Sequence, residues 1–231
     1  MKGLSAHRRL LARFRERFRH SSLSVLLGVQ LFIIFGVGPA LALGIPISSS
    51  LAGFVLIIVV FFVVVAAPSL VPMLAVIVAV LINGVAIVSL KSPNATILTY
   101  WTDAVSGTLS IVGLSWVVMK LVFSPGPIDR HRIVGAVILY LNVALLFDGL
   151  YRLITELSPG AFGGLPLTLD RQRWTGDLMY FSMVTLTTVG YGDIVPVHPI
   201  ARSLANMEGL IGQLYPAIIL ARIMTLYQPR G

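Results

Sequence analysis

Polar side chains thin out in six stretches of the 231-residue chain: 23–43, 50–67, 70–90, 97–122, 132–156 and 199–227. A bilayer core takes about 20 apolar helical residues. Each stretch therefore predicts a transmembrane helix, the second only just long enough. The breaks are written in helix-stopping residues: "GIPISSS", "APSLVP", "KSPNAT", "SPGPIDRH" and the long "SPGAFGGLPLTLDRQRWTG". The expected fold class is an all-α membrane protein with six transmembrane helices. Between the fifth and sixth spans, "WTGDLMYFSMVTLTTVGYGD" (174–193) breaks the pattern. Two nearby glycines and a charge are costly in a lipid-facing helix. The first part can form a short helix re-entering from outside, with Thr175 as its N-cap. The rest must return to the surface as extended backbone, which survives at membrane depth only when buried in protein or lining an aqueous path.

Composition strengthens the membrane reading. The chain is 57% hydrophobic and 11% charged, with a mean hydropathy of +0.93, whereas soluble domains carry about 25% charged residues. Cysteine is absent, so thiolate metal sites and disulfides are excluded, and His7, His20, His131 and His198 lack metal-ligand spacing. No zinc-binding pattern, nucleophile elbow or phosphate loop is present, which argues against an enzyme, and no cofactor is expected. The net charge of +8 does not signal nucleic acid, because much of it is concentrated in residues 1–22. There, Lys2 and six arginines stand against Glu16. Residues 8–19, "RRLLARFRERFR", place Leu10, Leu11, Phe14 and Phe18 near one helical face. That segment reads either as a basic helix on anionic headgroups or as a frayed tail.

A basic block before the first span predicts cytoplasmic N- and C-termini. Lys120, Arg130, Arg132, Arg222 and Arg230 then fall on the cytoplasmic side, and the 157–198 region lies outside. Lys91 is a minor exception. A cleaved signal peptide ending at "ALA" (40–42) is the rival reading of the first span; its basic region is long for a signal, which favours an uncleaved helix. "NAT" at 94–96 matches a glycosylation acceptor by a pattern too short to carry weight.

Residues 187–193, "TTVGYGD", resemble the signature of tetrameric potassium channels. The resemblance is specific over 174–196, good across both flanking spans, and only architectural over 1–130. It implies a homotetramer, since each chain carries one copy, in the cytoplasmic membrane. It further implies a selectivity filter in which Thr188, Val189, Gly190 and Tyr191 supply oxygens that replace the hydration shell of K+. Thr187 precedes them, and Gly192 and Asp193 form the outer mouth. Gly190 and Gly192 permit the backbone angles that turn successive carbonyls to one side.

Related channels carry two aromatics, usually tryptophans, where this chain has Tyr180 and Phe181; Tyr180 keeps a donor for Asp193, while Phe181 keeps only bulk. A buried glutamate of some bacterial members is replaced by Val184, leaving Asp193 with fewer partners. Ungapped counting from the filter puts Gly212 at the family's hinge glycine, with Pro216 one turn later as a second reason to kink. Gln213, Pro216 and Leu220 share the face expected to line the cavity. Glu208 points backwards, towards the pore helix, where Thr185 or Thr187 is its expected partner, in a structural or a pH-sensing role. Asp148, Arg152 and Glu156, at i, i+4 and i+8, predict an ion ladder along the fifth span.

Three regions are expected: a basic segment 1–22, a four-helix membrane domain 23–123, and a pore domain 131–228. The layout matches voltage-gated channels, but the fourth span, "YWTDAVSGTLSIVGLSWVVMK", has Asp103 and Lys120 near its ends and no charge between. The sensor is missing. Only "QPRG" follows Tyr227, so no nucleotide- or calcium-binding domain is expected below the gate. The function expected is weakly voltage-dependent, passive K+ conduction. The alternative is a regulatory or structural membrane protein that keeps the pore fold and conducts poorly alone.

Overall fold

A computed structural model describes residues 23–43, 45, 55, 57–62, 70–89, 97–123, 130–165 and 171–226. The basic segment 1–22 and most of the predicted second span, 50–67, lie outside the described residues, although 57–62 are helical.

The chain is an all-α membrane protein. Its first helix, α1 (Leu23–Ala42), widens into a π-helical stretch at Ile33–Val37. Then come α2 (Leu70–Ser89), α3 (Ile97–Val122) and α4 (Arg130–Leu157). A two-residue strand β1 (Phe162–Gly163) precedes α5 (Arg171–Leu186); β2 (Val195–Pro196) precedes α6 (Pro199–Leu226). Among the described residues, four helical segments are long and apolar enough to cross a bilayer: Leu23–Ala42, Leu98–Val122, Arg132–Leu157 and Pro199–Arg222. Val76–Ser89 is a shorter apolar segment within α2. Large apolar side chains such as Phe35, Val85 and Leu98 stay exposed on the single chain, as expected where lipid or another protein surface is the neighbour.

Two cores hold the helices. In front, Leu26 of α1, Phe62, Val80 of α2, Val117 and Val118 of α3 and Ile138 of α4 pack together. Behind, Phe147 and Tyr151 of α4, Leu178 and Phe181 of α5, Phe162 and Ala201 form a second cluster. Ile34, Leu141, Leu145 and Met179 join α1 to α4 and α5. The antiparallel pairs Phe162–Pro196 and Gly163–Val195 tie the two connections flanking α5 to each other. That pairing holds the far end of the loop that follows α5.

Candidate functional site

α5 ends at Leu186, and the chain then turns back along irregular backbone. The helix starts at Arg171, so Thr175 lies inside it and is not its N-cap; "RQRW" extends the helix one turn further back than expected. Val184 gives the loop its anchor. Its carbonyl accepts from Val189 N–H at 2.9 Å and Gly190 N–H at 3.2 Å, while Thr188 N–H donates to Thr185 O at 3.0 Å.

Beyond this anchor every second residue has positive φ: Thr188 at +59°, Gly190 at +55° and Gly192 at +80°. Positive φ at alternate positions flips alternate peptide planes, so consecutive carbonyls share a direction instead of alternating as in a strand. A Cβ on Gly190 meets nothing within 4 Å, so backbone angle and not space demands glycine there. Thr188 achieves the same angle with a side chain, a conformation nothing in its residue type announces.

Tyr180 and Phe181 diverge. The Tyr180 ring stacks over Tyr191, with centroids 6.4 Å apart and planes 3° from parallel, and its hydroxyl feels the Asp193 carboxylate electrostatically. Phe181 turns into the core, edge-on to Tyr151 at 5.1 Å and Phe162 at 5.3 Å. Val184 faces no recorded polar partner through its apolar side chain; its backbone oxygen is the part that touches the loop.

Below the loop, α6 packs flush against the end of α5. A Cβ on Gly212 would stand 1.9 Å from the Leu186 carbonyl oxygen, so close approach requires glycine at this position. The next residue, Gln213, donates from Nε2 to Thr188 Oγ1 at 3.3 Å. Pro216 lies within the continuous helix, and Pro216 and Leu220 are exposed on the single chain.

Glu208 is fully buried between α4, α5 and α6, and its partners differ from those expected. Tyr151 Oη donates to its Oε2 at 2.6 Å, and Ser182 Oγ bonds to its Oε1. Thr185 and Thr187 instead donate to carbonyls of their own helix, Phe181 O and Met183 O. Ser182 stands one turn before Thr185 on the same side of α5, which explains the misassigned partner. Ser182 Oγ is also 2.7 Å from Ala144 O, so a single hydroxyl proton faces two acceptors. A proton on Glu208 Oε1, donated to Ser182, satisfies all three contacts. The Asp148–Arg152 rung of the expected ion ladder forms at 3.4 Å, and Arg152 also reaches across to Asp103 of α3 at 3.3 Å. Among the described residues, no group of three acidic or histidine side chains forms a metal-ligand cluster.

Two apolar helices, a short helix between them and a returning loop with alternating positive φ give this part of the chain the layout of a pore-loop membrane protein. Residues 133–228 match the family model described as "Ion channel". This part of the chain is thus similar to the pore-loop channel family. The chain is 33% identical over 85 residues to Protein LctB of Bacillus caldotenax, an alignment covering 36% of this chain and 63% of that one. It is 40% identical over 65 residues to Protein LctB of Geobacillus stearothermophilus, covering 28% and 44%. To the inward rectifier potassium channel Kirbac3.1 of Paramagnetospirillum magnetotacticum it is 38% identical over 75 residues, covering 32% and 25%. The alignments thus span less than two thirds of each of these relatives. No solved structure matches.

Proposed function

We propose that the chain forms a homotetrameric, potassium-selective channel with six spans per subunit, cytoplasmic termini and a place in the cytoplasmic membrane. The observation that carries this reading is the alternation of positive φ at Thr188, Gly190 and Gly192 at the mouth of α5. Four such loops around one axis stack rings of oxygens from Thr188, Val189, Gly190 and Tyr191, with Gly192 completing the outer turn. Potassium loses its hydration shell to these rings and moves between them down its gradient. Thr187 and Val184 hold the inner end of the loop, and Tyr180 steadies Asp193 at the outer end. Phe181 acts as packing.

Gln213 and Leu220 line the cavity beneath, and the Gln213 contact with Thr188 supports that placement. Gly212 and Pro216 set the gate. Proline at 216 removes the helical bond that the Gly212 carbonyl would otherwise accept, so the flush contact and the weakened turn coincide. Glu208 couples this helix to α4 and α5. Conduction needs no cofactor; K+ is the permeant ion. Basic residues of the N-terminal segment meet anionic headgroups.

The test is rubidium uptake into vesicles containing only this protein, with sodium as the competing ion. Uptake selective for rubidium over sodium is expected. Intact tetramers without uptake would favour a pore-fold regulator that conducts poorly alone.

A further inference from the structure

Helices α1 to α5, with Val55 and Val59 of the segment between α1 and α2, line a cavity of about 350 Å³, within the range of small-molecule sites, about 300–1,000 Å³. Its wall is mostly apolar, running from Leu26 and Ile33 of α1 past Leu114 of α3 to Leu145 of α4 and Met179 of α5. One end is charged. Arg152 donates to Asp103 Oδ2 at 3.3 Å and pairs with Asp148 Oδ2 at 3.4 Å, so one cation serves two carboxylates. With all three ionised, the group carries a net charge of −1.

The carboxylates are unequally provided for. Asp103 Oδ1 accepts from Asn83 Nδ2 at 3.2 Å. Asp148 Oδ1 has no hydrogen-bond partner among the described residues, although Asp148 is only 2% exposed. A second orphan acceptor, Gln30 Oε1, belongs to another buried residue lining the same cavity. Its orientation is fixed by a relay: Gln30 Nε2 donates to Asn142 Oδ1 at 2.6 Å, and Asn142 Nδ2 donates to Ser115 Oγ at 3.0 Å. Buried acceptors are almost always paired. Arg152 Nε also makes no hydrogen bond, but it is committed to the ion pair with Asp148 Oδ2 at 3.4 Å. An apolar chamber with two unpaired acceptors and a net negative end therefore suits a molecule that brings its own donors and its own positive charge.

We propose that this cavity binds an amphiphilic ammonium ion, with its head on Asp148 Oδ1 and its apolar body along the wall towards Leu26. Asn142 and Asp148 lie six residues apart on α4, about 9 Å of helix rise. Gln30, bonded to Asn142, thus accepts from a hydroxyl or amide on the body of the ligand and not from its head. Thr175 and Met179 of α5 complete the wall. An occupant therefore bears on the helix that leads into the pore loop, and the site is suited to regulation.

Fluorine NMR of an n-octylammonium probe with a terminal trifluoromethyl group, on the full chain in lipid nanodiscs, tests the proposal. A shifted, saturable resonance missing from protein-free nanodiscs is expected. Asp148→Asn should weaken binding about tenfold or more, the scale of a lost hydrogen bond to a charged group. Ser110→Phe should abolish it by filling the cavity from α3, where Ser110 donates to the carbonyl of Ser106 one turn back in its own helix. Unlabelled n-octylammonium should displace the probe, and n-octanol, with the same tail and no charge, should not. A resonance identical with and without protein, equal binding by wild type and both variants, or equal displacement by the alcohol would overturn the proposal.

Discussion

Thr188 holds φ at +59° with a side chain attached, a conformation that costs roughly 1–2 kcal/mol for a residue other than glycine. The double anchor on Val184 O and the contact with Gln213 hold it there. Gly190 adopts the same conformation without that cost, and a Cβ there would touch nothing on its own chain. Gly190→Ala should therefore leave an intact tetramer by size-exclusion chromatography while abolishing rubidium uptake. The strain summed over four subunits is roughly 4–8 kcal/mol, enough to rearrange the loop. Tyr180 offers a separable test, since its ring stacks on Tyr191 and its hydroxyl feels the Asp193 carboxylate electrostatically. Tyr180→Phe keeps the ring and should speed inactivation in patch recordings, with raised external potassium slowing it again. An unchanged rate would reduce Tyr180 to packing. The need for glycine at 190 was legible in the sequence. The twist at Thr188 and the Val184 carbonyl were not, because residue type does not report a strained φ or a backbone acceptor.

Between elements, Glu208 joins three helices through Tyr151, Ser182 and the shared Ala144 carbonyl. Glutamine reproduces the protonated form, donating to Ser182 and accepting from Tyr151. Leucine strands the Tyr151 hydroxyl, at a cost of about 1–3 kcal/mol per subunit. Tetramer melting should rank wild type and Glu208→Gln together, with Glu208→Leu clearly below. Tyr151 of α4 reaches the same carboxyl from across the helix interface. The cation on this side, Arg152, is already paired with Asp148 and Asp103. Ionisation removes the proton that serves Ser182, so stability contributed by this contact is present when Glu208 is protonated and is lost as pH rises. Opening measured against pH should vary in wild type and flatten in Glu208→Gln, which cannot ionise. Matching profiles would leave a purely structural residue. The sequence placed Glu208 behind the pore by helical angle alone. Its partners could not be read, because a one-turn offset along α5 preserves the face and changes the residue.

Across the whole molecule, the question is what the front helices do. Moving one elementary charge through the membrane field is worth about 2.3 kcal/mol per 100 mV, and steep gating needs several per subunit. The absence of a basic ladder in the fourth span was plain in the sequence. The destination of Asp103 was not, since its partner Arg152 is 49 positions away on another helix. That contact strengthens the argument. The acidic residue of α3 is tied to α4, which packs against the pore helix through Leu141, Leu145 and Met179. Asp103 cannot cross the field without breaking its bonds to both Arg152 and Asn83. Lys120, at the other end of α3, lies over the Trp116 ring at 4.8 Å, near the helix terminus where the field has largely decayed. The front helices therefore supply almost no gating charge, and open probability should vary only weakly with voltage. Planar bilayers with symmetric potassium provide the measurement. Any remaining slope should change when rubidium replaces potassium, because it then comes from ions entering the loop. A steep slope, equivalent to several charges per channel and unaltered by that replacement, would require a moving charge that neither α3 nor α4 provides.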